Sequence, residues 1–182
     1  MSLSCGGTTN YTDEYGLSWI PDSEYINTGN TTNIDYTQGS SSSTVSARYF
    51  PPSQGRKCYR ITPNNVSSLV LVRAQFVYKN YDGLEKPPVF SVSLGTAIVG
   101  TVNLAKNDPV VEEFVWKVGK ETVSFCLLGI KRKGFPVISS LEVRPLPEDA
   151  YKSGMEDFPS KSLRKCHRIN CGYTDGSLRY AF

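Results

Sequence analysis

The residues that could perform acid–base or nucleophilic chemistry are few and poorly grouped in this sequence. The chain has one histidine, His167, and no motif of a Ser-His-Asp or Cys-His mechanism surrounds it. The paired carboxylates Glu112-Glu113 and Glu148-Asp149 are chain neighbours. On a strand, neighbouring side chains diverge, so neither pair would face a substrate from both sides as in a glycosidase. The sequence therefore predicts a protein that is not an enzyme.

Metal, cofactor and nucleic-acid sites are not indicated either. Cys166, His167 and Cys171 lie close together, but their spacing is not the paired spacing of a zinc site. Glycine-rich phosphate loops are absent. The net charge is +3, and the lysines and arginines are mostly dispersed, which is not the basic patch of a nucleic-acid binder. We expect no cofactor, no metal and no nucleic-acid partner.

Aromatic side chains are the best candidates for ligand contact. The chain has 11 tyrosines, and several of them crowd into its irregular first third. A tyrosine combines a flat apolar ring with a polar hydroxyl, and a sugar ring has the complementary mixture of C–H faces and hydroxyl rim. The same rings also bury well in a β-sandwich core. Ligand contact and core packing are therefore both open for each tyrosine.

Alternating and β-branched runs predict the elements that must position these residues. Gly, Pro, Asn and Asp break the runs every 8–12 residues or so, and no stretch shows a convincing helical period. We expect an all-β sandwich or jelly roll with few short helices, and loops at Gly29–Asn33 and Gly39–Ser43. The predicted strands are Leu69–Tyr78, Val89–Leu94, Ala97–Leu104, Glu113–Val118, Thr122–Leu128 and Val137–Arg144.

A repeat suggests the domain organisation. The opening text Ser2–Thr8, with its Cys-Gly corner, is echoed by Arg168–Thr174. The strand pattern stops after Pro147, and too few residues follow the second copy to bury a core. We expect one domain over 1–147, a mobile connector over 148–167, and the truncated start of a second domain over 168–182.

Export of the chain is suggested by two weak signals. Three N-glycosylation acceptors, Asn10, Asn30 and Asn65, would be usable only on a secreted protein. Five cysteines also suit an exported chain, although their pairing cannot be read from sequence; we expect Cys126 to be buried whether or not it is bonded. We expect no signal peptide in this chain, because Met1 leads straight into the first strand, and no apolar run is long enough to span a membrane.

The sequence resembles the malectin-like domains of plant receptor-like kinases, especially those that carry leucine-rich repeats. The resemblance extends in order over residues 2–147, and the second Cys-Gly copy resembles the start of a second such domain in tandem. The matching segments are Ser4–Gly7, Tyr11–Trp19, Ala47–Pro51, Gly55–Arg60, Leu71–Gly83, Pro88–Val92 and Pro136–Leu146.

The resemblance implies a β-sandwich of the carbohydrate-binding type and an extracellular location. It also implies a sensing role, for cell-wall glycans or peptide signals, on behalf of a kinase. The sequence has no kinase signature such as H-R-D or D-F-G, so the chain would be at most the sensor part of a receptor.

The resemblance also implies site residues. The family's animal namesake binds a glucose-containing oligosaccharide with several aromatics and an acid at one end of the sandwich, and Tyr15, Tyr49 and Tyr78 match its ligand tyrosines. A further aromatic is replaced by Lys79, and no residue between Gly129 and Val137 matches the acid. An ammonium group in place of a ring could shift preference toward an acidic sugar or a peptide carboxylate.

Three functional hypotheses follow. The first is a glycan-sensing module that binds cell-wall carbohydrate through Tyr15, Tyr49, Tyr78 and Lys79. The second is a module that binds a peptide or a co-receptor and has lost sugar binding. The third is a truncated receptor fragment with no independent activity.

Overall fold

The computed structural model describes residues 1–38, 41–51, 55–62, 69–106, 108–119, 122–151 and 162–167. All regular elements in these residues are β-strands, which confirms the all-β class, and no helix occurs among them. Asn65, Cys171 and the second-domain segment 168–182 lie outside the described residues. The strands are β1 (Ser2–Ser4), β2 (Tyr11–Thr12), β3 (Ser18–Pro21), β4 (Asn30–Gln38), β5 (Ser41–Tyr49), β6 (Gly55–Ile61), β7 (Leu69–Phe76), β8 (Val89–Leu94), β9 (Ala97–Asn103), β10 (Val110–Lys117), β11 (Val123–Gly129), β12 (Val137–Ile138), β13 (Ser140–Pro145) and β14 (Leu163–Arg164).

The described strands form three sheets. A seven-stranded sheet has the order β14-β10-β7-β13-β1-β3-β2, and a four-stranded sheet has the order β6-β11-β8-β9. The third sheet, β12-β5-β4, consists mainly of the β4–β5 hairpin. The inner faces of the two larger sheets share one apolar core, in which the rings of Phe76 and Phe90 meet edge to face at 5.5 Å. The molecule is therefore a β-sandwich, with the hairpin sheet added to it.

Strand β7 shows how side-chain alternation builds the two faces. Val70, Val72 and Ala74 are buried in the core, whereas Arg73 and Gln75 lie on the outer face and are only partly buried. Because β7 lies between β10 and β13, Arg73 is opposite Glu113 on one side and Glu142 on the other, and Gln75 is opposite Ser140 of β13. The outer face of the seven-stranded sheet is therefore polar beside β13 and β1.

The polar hairpin was not expected. The segment Gly29–Asn33 was predicted to be a loop, but Asn30 begins β4, which pairs with β5 over nine residue pairs from Asn30↔Tyr49 to Gln38↔Ser41. The prediction was wrong because threonine is β-branched and suits an extended chain, while apolar alternation is weak in this segment.

The predicted connector contributes a strand. Leu163 and Arg164 form β14 and pair with β10 at the edge of the seven-stranded sheet. Leu163 also packs against the small apolar cluster of Leu69 and Val115 on the outer face. The described end of segment 148–167 is thus held on the sheet rather than lying apart from it.

One buried carboxylate joins all three sheets. Asp22, in the loop after β3, is fully buried and accepts hydrogen bonds from Arg48 on β5 to both of its oxygens, each at 2.7 Å. Tyr59 on β6 donates its hydroxyl to Asp22 Oδ2 at 2.7 Å, and the Gly6 N–H after β1 donates to Oδ1 at 3.0 Å. We call these four residues the Asp22 hub.

The hub keeps its donors protonated. The hydrogen bonds that Arg48 donates to Asp22 are the main cause that raises the pKa of Arg48. Burial is the main cause that raises the pKa of Tyr59 well above its usual value. A buried carboxylate needs such partners, since an unpaired charge in the interior is costly.

Gly6 explains the Cys-Gly corner of the opening motif. Its φ of 78° lies in the left-handed region, and a Cβ atom there would come within 2.4 Å of the Ala47 carbonyl oxygen. Glycine alone allows this close approach, which brings the Gly6 N–H to Asp22.

A disulfide crosses the four-stranded sheet. Cys58 on β6 and Cys126 on β11 are direct cross-strand partners and are bonded. Cys126 is buried, as expected from its apolar segment. Among the described cysteines, Cys5 and Cys166 are free thiols, the former buried and the latter exposed.

Replacing Asp22 with Asn should strongly destabilise the protein. The amide would leave the buried Arg48 guanidinium without its counter-charge, at a cost of about 3–5 kcal/mol in the free energy of unfolding. Urea denaturation measures this change. Asp149→Asn, at an exposed carboxylate, is the control and should change stability by less than about 0.5 kcal/mol. Equal effects of the two substitutions would contradict the role given to the hub.

Removal of the disulfide should also destabilise the chain. The bond closes a loop with a sequence separation of 68 residues, so the Cys58→Ala, Cys126→Ala double variant should lose about 2–5 kcal/mol. Urea denaturation under non-reducing conditions tests this expectation. Cys166→Ala removes an exposed free thiol and should leave the midpoint unchanged.

Candidate functional site

Two of the three predicted ligand tyrosines are joined by a third ring that the sequence analysis did not single out. Tyr81 lies 5.0 Å from Tyr49 and 5.4 Å from Tyr78, measured between ring centroids. We call Tyr49, Tyr78 and Tyr81 the tyrosine cluster. Tyr81 could have been suspected only as one more aromatic in the segment after β7. Among the described residues, Tyr15 is not part of this cluster.

Tyr78 is buried and holds the loop after β7, so it does not present an open ring surface to a ligand. Its side chain is only 3% exposed, and its hydroxyl lies 2.7 Å from Asp82 Oδ1 while accepting the Lys86 N–H at 3.1 Å. Burial, together with the hydrogen bond to Asp82, raises the pKa of Tyr78 to about 12. The hydroxyl thus closes the loop that follows β7.

Lys79 is also engaged within the chain. Its ammonium group donates to the Asp108 carbonyl oxygen at 2.6 Å, and its backbone N–H donates to the Asp108 carboxylate at 2.7 Å. The Tyr78 N–H donates to the other oxygen of that carboxylate at 3.0 Å. A ligand carboxylate would have to compete with these contacts for the Lys79 ammonium.

Tyr15 lies at the tip of the β2–β3 hairpin and is 45% exposed. The carboxylate of Asp13 shapes this tip by accepting the N–H groups of Tyr15 and Leu17 on one oxygen and the indole N–H of Trp19 on the other. Of the predicted site residues, Tyr15 is therefore the one with an openly exposed ring.

A separate polar cleft of about 520 Å³ lies between the outer face of the seven-stranded sheet and the β4–β5 hairpin. Half of its 18 lining residues are serine or threonine. The remainder include Tyr11, Trp19, Asn33 and Gln75 and one ion pair. We call it the polar cleft; it is lined by Ser4, Gly6, Gly7, Thr8, Thr9, Tyr11, Trp19, Thr31, Thr32, Asn33, Thr44, Val45, Ser46, Arg73, Gln75, Ser139, Ser140 and Glu142.

The cleft is held by strands and by one direct contact between its walls. Ser4 on β1 and Ser46 on β5 share a hydrogen bond of 2.9 Å between their hydroxyls. At one end, the Tyr11 ring lies nearly parallel to Trp19, with an interplanar angle of 10° and a centroid distance of 6.1 Å. Tyr11 is 49% exposed, so its ring is open to a ligand.

The charges in the cleft balance. Arg73 donates to Glu113 at 3.1 Å and lies 3.9 Å from Glu142, which in turn accepts from Arg144 at 2.8 Å. Both charged lining residues, Arg73 and Glu142, therefore have a counter-charge within the protein.

One hydroxyl in the cleft lacks a partner. Ser139 is only 6% exposed, and among the described residues its Oγ has no hydrogen bond. Buried polar groups are rarely left unpaired, so such a group in a cleft is a candidate ligand contact. Sequence reasoning could not find this site, since its residues come from β1, β2, β3, β4, β5, β7 and β13.

The comparisons with known sequences point to plant receptor kinases. The model of a family described as Malectin-like domain matches residues 3–182. An Arabidopsis thaliana protein named as a probable leucine-rich repeat receptor-like protein kinase is 31% identical over 188 residues, which cover 100% of this chain and 20% of that protein. A nodulation receptor kinase of Pisum sativum is 30% identical over 177 residues, covering 96% of this chain and 18% of that one. The chain spans about a fifth of the length of these curated relatives.

The solved structures agree on the fold. The extracellular domain of ANXUR2 from Arabidopsis thaliana superposes with a TM-score of 0.67 at 26% identity, over 81% of this chain and 41% of that one.

The described residues contain no helix that is both long and apolar enough to cross a membrane.

The burial of Tyr78 and its hydrogen bond to Asp82 predict how the Tyr78 hydroxyl titrates at alkaline pH. Its pKa of about 12 exceeds the ordinary value near 10 of the unfolded chain, so the neutral phenol stabilises the fold fully below about pH 10 and loses that contribution between about pH 10 and 12. Titration of the Tyr78 Cζ resonance, assigned by its loss in Tyr78→Phe, measures this pKa. Asp82→Ala removes the proton acceptor and should lower it toward 10. A Tyr78 that titrates near pH 10 in the folded wild-type protein would be open to solvent instead.

Proposed function

The chain belongs to the malectin-like domain family, and on that premise we propose that it is the non-catalytic ligand-binding part of a receptor-like kinase ectodomain. We further propose that it binds neutral cell-wall oligosaccharides in the polar cleft. The observation that carries this proposal is the cleft's lining of hydroxyl and amide groups beside the exposed Tyr11 ring. This combination suits a sugar, whose hydroxyls exchange hydrogen bonds while its C–H face packs on a ring.

The unpartnered Ser139 hydroxyl supports the same conclusion. Ser139 lines the cleft, and its buried Oγ has no hydrogen-bond partner among the described residues, so a ligand hydroxyl that reached this oxygen would satisfy it. Because this gain requires a polar ligand, it favours a carbohydrate over an apolar compound.

The charge balance favours a neutral ligand. An acidic sugar would gain from Arg73 only by weakening the contacts of this guanidinium with Glu113 and Glu142. A neutral oligosaccharide can bind without disturbing these ion pairs.

The placement of the carboxylates supports a function without catalysis. Glu112 pairs with Arg164 of β14, while Glu113 pairs with Arg73 and Lys165. Adjacent residues on a strand face opposite sides, and each carboxylate is already engaged with a cation. This arrangement does not suit an acid–base pair that faces one substrate.

The domain organisation and location are part of the same proposal. Residues 1–147 would form the first malectin-like domain, and residues 168–182 would begin a second one after the connector 148–167. The family match through residue 182 and the receptor kinase relatives support a position outside the cell, in the ectodomain of a plasma-membrane receptor.

The carbohydrate role of Tyr15, Tyr49, Tyr78 and Lys79 stays a prediction. The engaged groups of Tyr78 and Lys79 favour the polar cleft over these residues as the main binding surface. Tyr15 and Tyr11 then form a natural test pair, because both are exposed tyrosines near the β2–β3 hairpin and only Tyr11 lines the cleft.

A peptide or co-receptor ligand is the second candidate. A structure titled as plant peptide RALF23 in complex with FER and LLG2 shares the fold, with a TM-score of 0.65 at 21% identity over 81% of this chain and 40% of that one. In this chain, β4 is a nine-residue strand at the edge of its sheet, where an extended peptide could add a strand.

Substitution of Tyr11 should separate the hypotheses. We expect Tyr11→Ala to weaken binding of neutral wall oligosaccharides about tenfold, since one stacking ring contributes roughly 1.4 kcal/mol, and Tyr15→Ala to change it less than about twofold. Isothermal titration with neutral glucan and xylan oligosaccharides, and with oligogalacturonides, measures both effects. The assay is repeated in an Asn10→Gln background, because Asn10 adjoins Tyr11 and a glycan attached there could cover the cleft mouth.

Each other outcome contradicts a stated part of the proposal. A wild-type protein that binds no oligosaccharide, but binds a secreted plant peptide, would favour the second candidate. If Tyr15→Ala lost binding and Tyr11→Ala kept it, the binding site would instead be formed by the residues that the resemblance implies. Tighter binding of oligogalacturonides would contradict the neutral ligand.

A further inference from the structure

We propose that Asn30 carries an N-linked glycan whose first sugar packs on the ring of Tyr49, so that the chain's own carbohydrate covers this side of the tyrosine cluster. The inference is independent of the function proposed for the polar cleft. It rests on the placement of an acceptor asparagine directly against an aromatic residue.

The acceptor is exposed and fixed in position. Asn30-Thr31-Thr32 is an N-glycosylation sequence, and Asn30 is exposed at the first residue of the edge strand β4. The residue before it, Gly29, has a φ of 90°, and a Cβ there would come within 2.7 Å of the Phe50 ring. The backbone of this turn can therefore hardly move toward Phe50.

Arg48 adds a second restraint on the turn. Its Nη1 donates to the carbonyl oxygens of Thr28 at 3.3 Å and Gly29 at 3.5 Å, while its other nitrogens bind Asp22. The glycan attachment point is thus tied to the Asp22 hub.

The atom that would receive the sugar lies next to Tyr49. Asn30 and Tyr49 are direct partners in the β4–β5 register, and Asn30 Nδ2 donates to the Tyr49 hydroxyl at 3.4 Å. Directly opposed residues in an antiparallel pair lie on the same face of the sheet. A sugar attached to Nδ2 would therefore begin beside the Tyr49 ring.

Glycosylation of Asn30 is compatible with the hydrogen bond between Asn30 and Tyr49. The sugar comes from a lipid-pyrophosphate-linked oligosaccharide donor in the secretory pathway. Its anomeric carbon exchanges its bond to the pyrophosphate oxygen for a bond to Asn30 Nδ2, which gives up one proton, and the lipid pyrophosphate leaves. The second N–H of Nδ2 remains, so it can still donate to the Tyr49 hydroxyl.

Tyr49 is well suited to hold a sugar in place. Its ring is partly buried and packs against Tyr81 at 5.0 Å, so little side-chain freedom would be lost when a sugar packs on it. Pairing of an apolar sugar face with the ring adds a contact that the unmodified chain lacks.

The glycan would begin outside the polar cleft. Neither Asn30 nor Tyr49 lines the cleft, and their register pair is the first of the hairpin, two residues along β4 from the lining residue Thr32 on the same face. The first sugar at Asn30 therefore covers Tyr49, one of the tyrosines implied in sugar binding.

The first test is occupancy and its dependence on the acceptor sequence. The 182-residue chain is secreted from plant cells, and its glycopeptides are mapped by mass spectrometry. We expect a glycan on Asn30 in the wild type and in Thr32→Ser, and none in Thr32→Val. An unmodified Asn30 in the secreted wild-type protein overturns the proposal.

The second test asks whether Tyr49 holds the sugar. The Thr32→Ser protein keeps the Asn30 acceptor and the Thr32→Val protein lacks it, and each is made with Tyr, Phe or Leu at position 49. For every variant we measure the melting temperature before and after complete deglycosylation. The Asn30 glycan should raise Tm by about 2–4 °C with Tyr or Phe at position 49 and by less than about 1 °C with Leu. Any intrinsic effect of each substitution cancels, because each variant is compared with its own deglycosylated form.

The third test identifies the part of the glycan that makes the contact. Trimming the glycan to its first N-acetylglucosamine should preserve the Tm increase, and the proton resonances of that sugar should be shifted upfield with Tyr or Phe at position 49 but not with Leu. An Asn30 glycan whose effect on Tm is the same in the Tyr49 and Tyr49→Leu proteins, or a sugar without the ring-current shift, overturns the docking on Tyr49.

Discussion

The Asp22 carboxylate is the contact on which the arrangement of the three sheets depends. It receives donors from the segment after β1, from β5 and from β6, which belong to three different sheets or adjoin them. Sheets that share an apolar core can slide, because burial of apolar surface has no direction. Short charge-assisted hydrogen bonds do have direction, so a buried carboxylate with three partner residues fixes how the hairpin and the sandwich meet.

This fixed junction creates the polar cleft. Arg48 and Gly6 bring β5 close to the start of the chain, and the contact between Ser4 and Ser46 holds the hairpin over the outer face of the sheet. The cleft walls are therefore strands and short turns that are already ordered without a ligand. A preordered site loses less conformational entropy on binding, which matters for a sugar, whose individual hydrogen bonds add little net free energy in water.

The sequence revealed the sandwich more fully than the site. Alternation of apolar residues located the strands from Leu69 to Arg144 to within a few residues, because those strands each bury one face. The hairpin β4–β5 was missed since its serines and threonines carry little apolar signal. Asp22 lies in a segment whose composition is that of an ordinary loop. No local sequence pattern indicates that Asp22 is buried or that it binds Arg48 and Tyr59. The family motifs around Gly6, Arg48 and Tyr59 were recognised, but only the structure shows that they share one carboxylate.

The tyrosines show why residue type and position in a motif do not define a binding role. Tyr59 and Tyr78 each commit their hydroxyl to a carboxylate inside the chain, and burial raises the pKa of both. Tyr11 instead presents an exposed ring at the cleft, although its hydroxyl hydrogen-bonds to Ser4, and Tyr49 presents its hydroxyl to Asn30. What separates these roles is how far the ring is buried and where the hydroxyl finds its partner, since a buried phenol paired within a closed loop has no donor left for a ligand. A resemblance in sequence preserves the ring but does not specify that partner, so ligand contacts have to be assigned from the hydrogen bonds of each tyrosine in the fold.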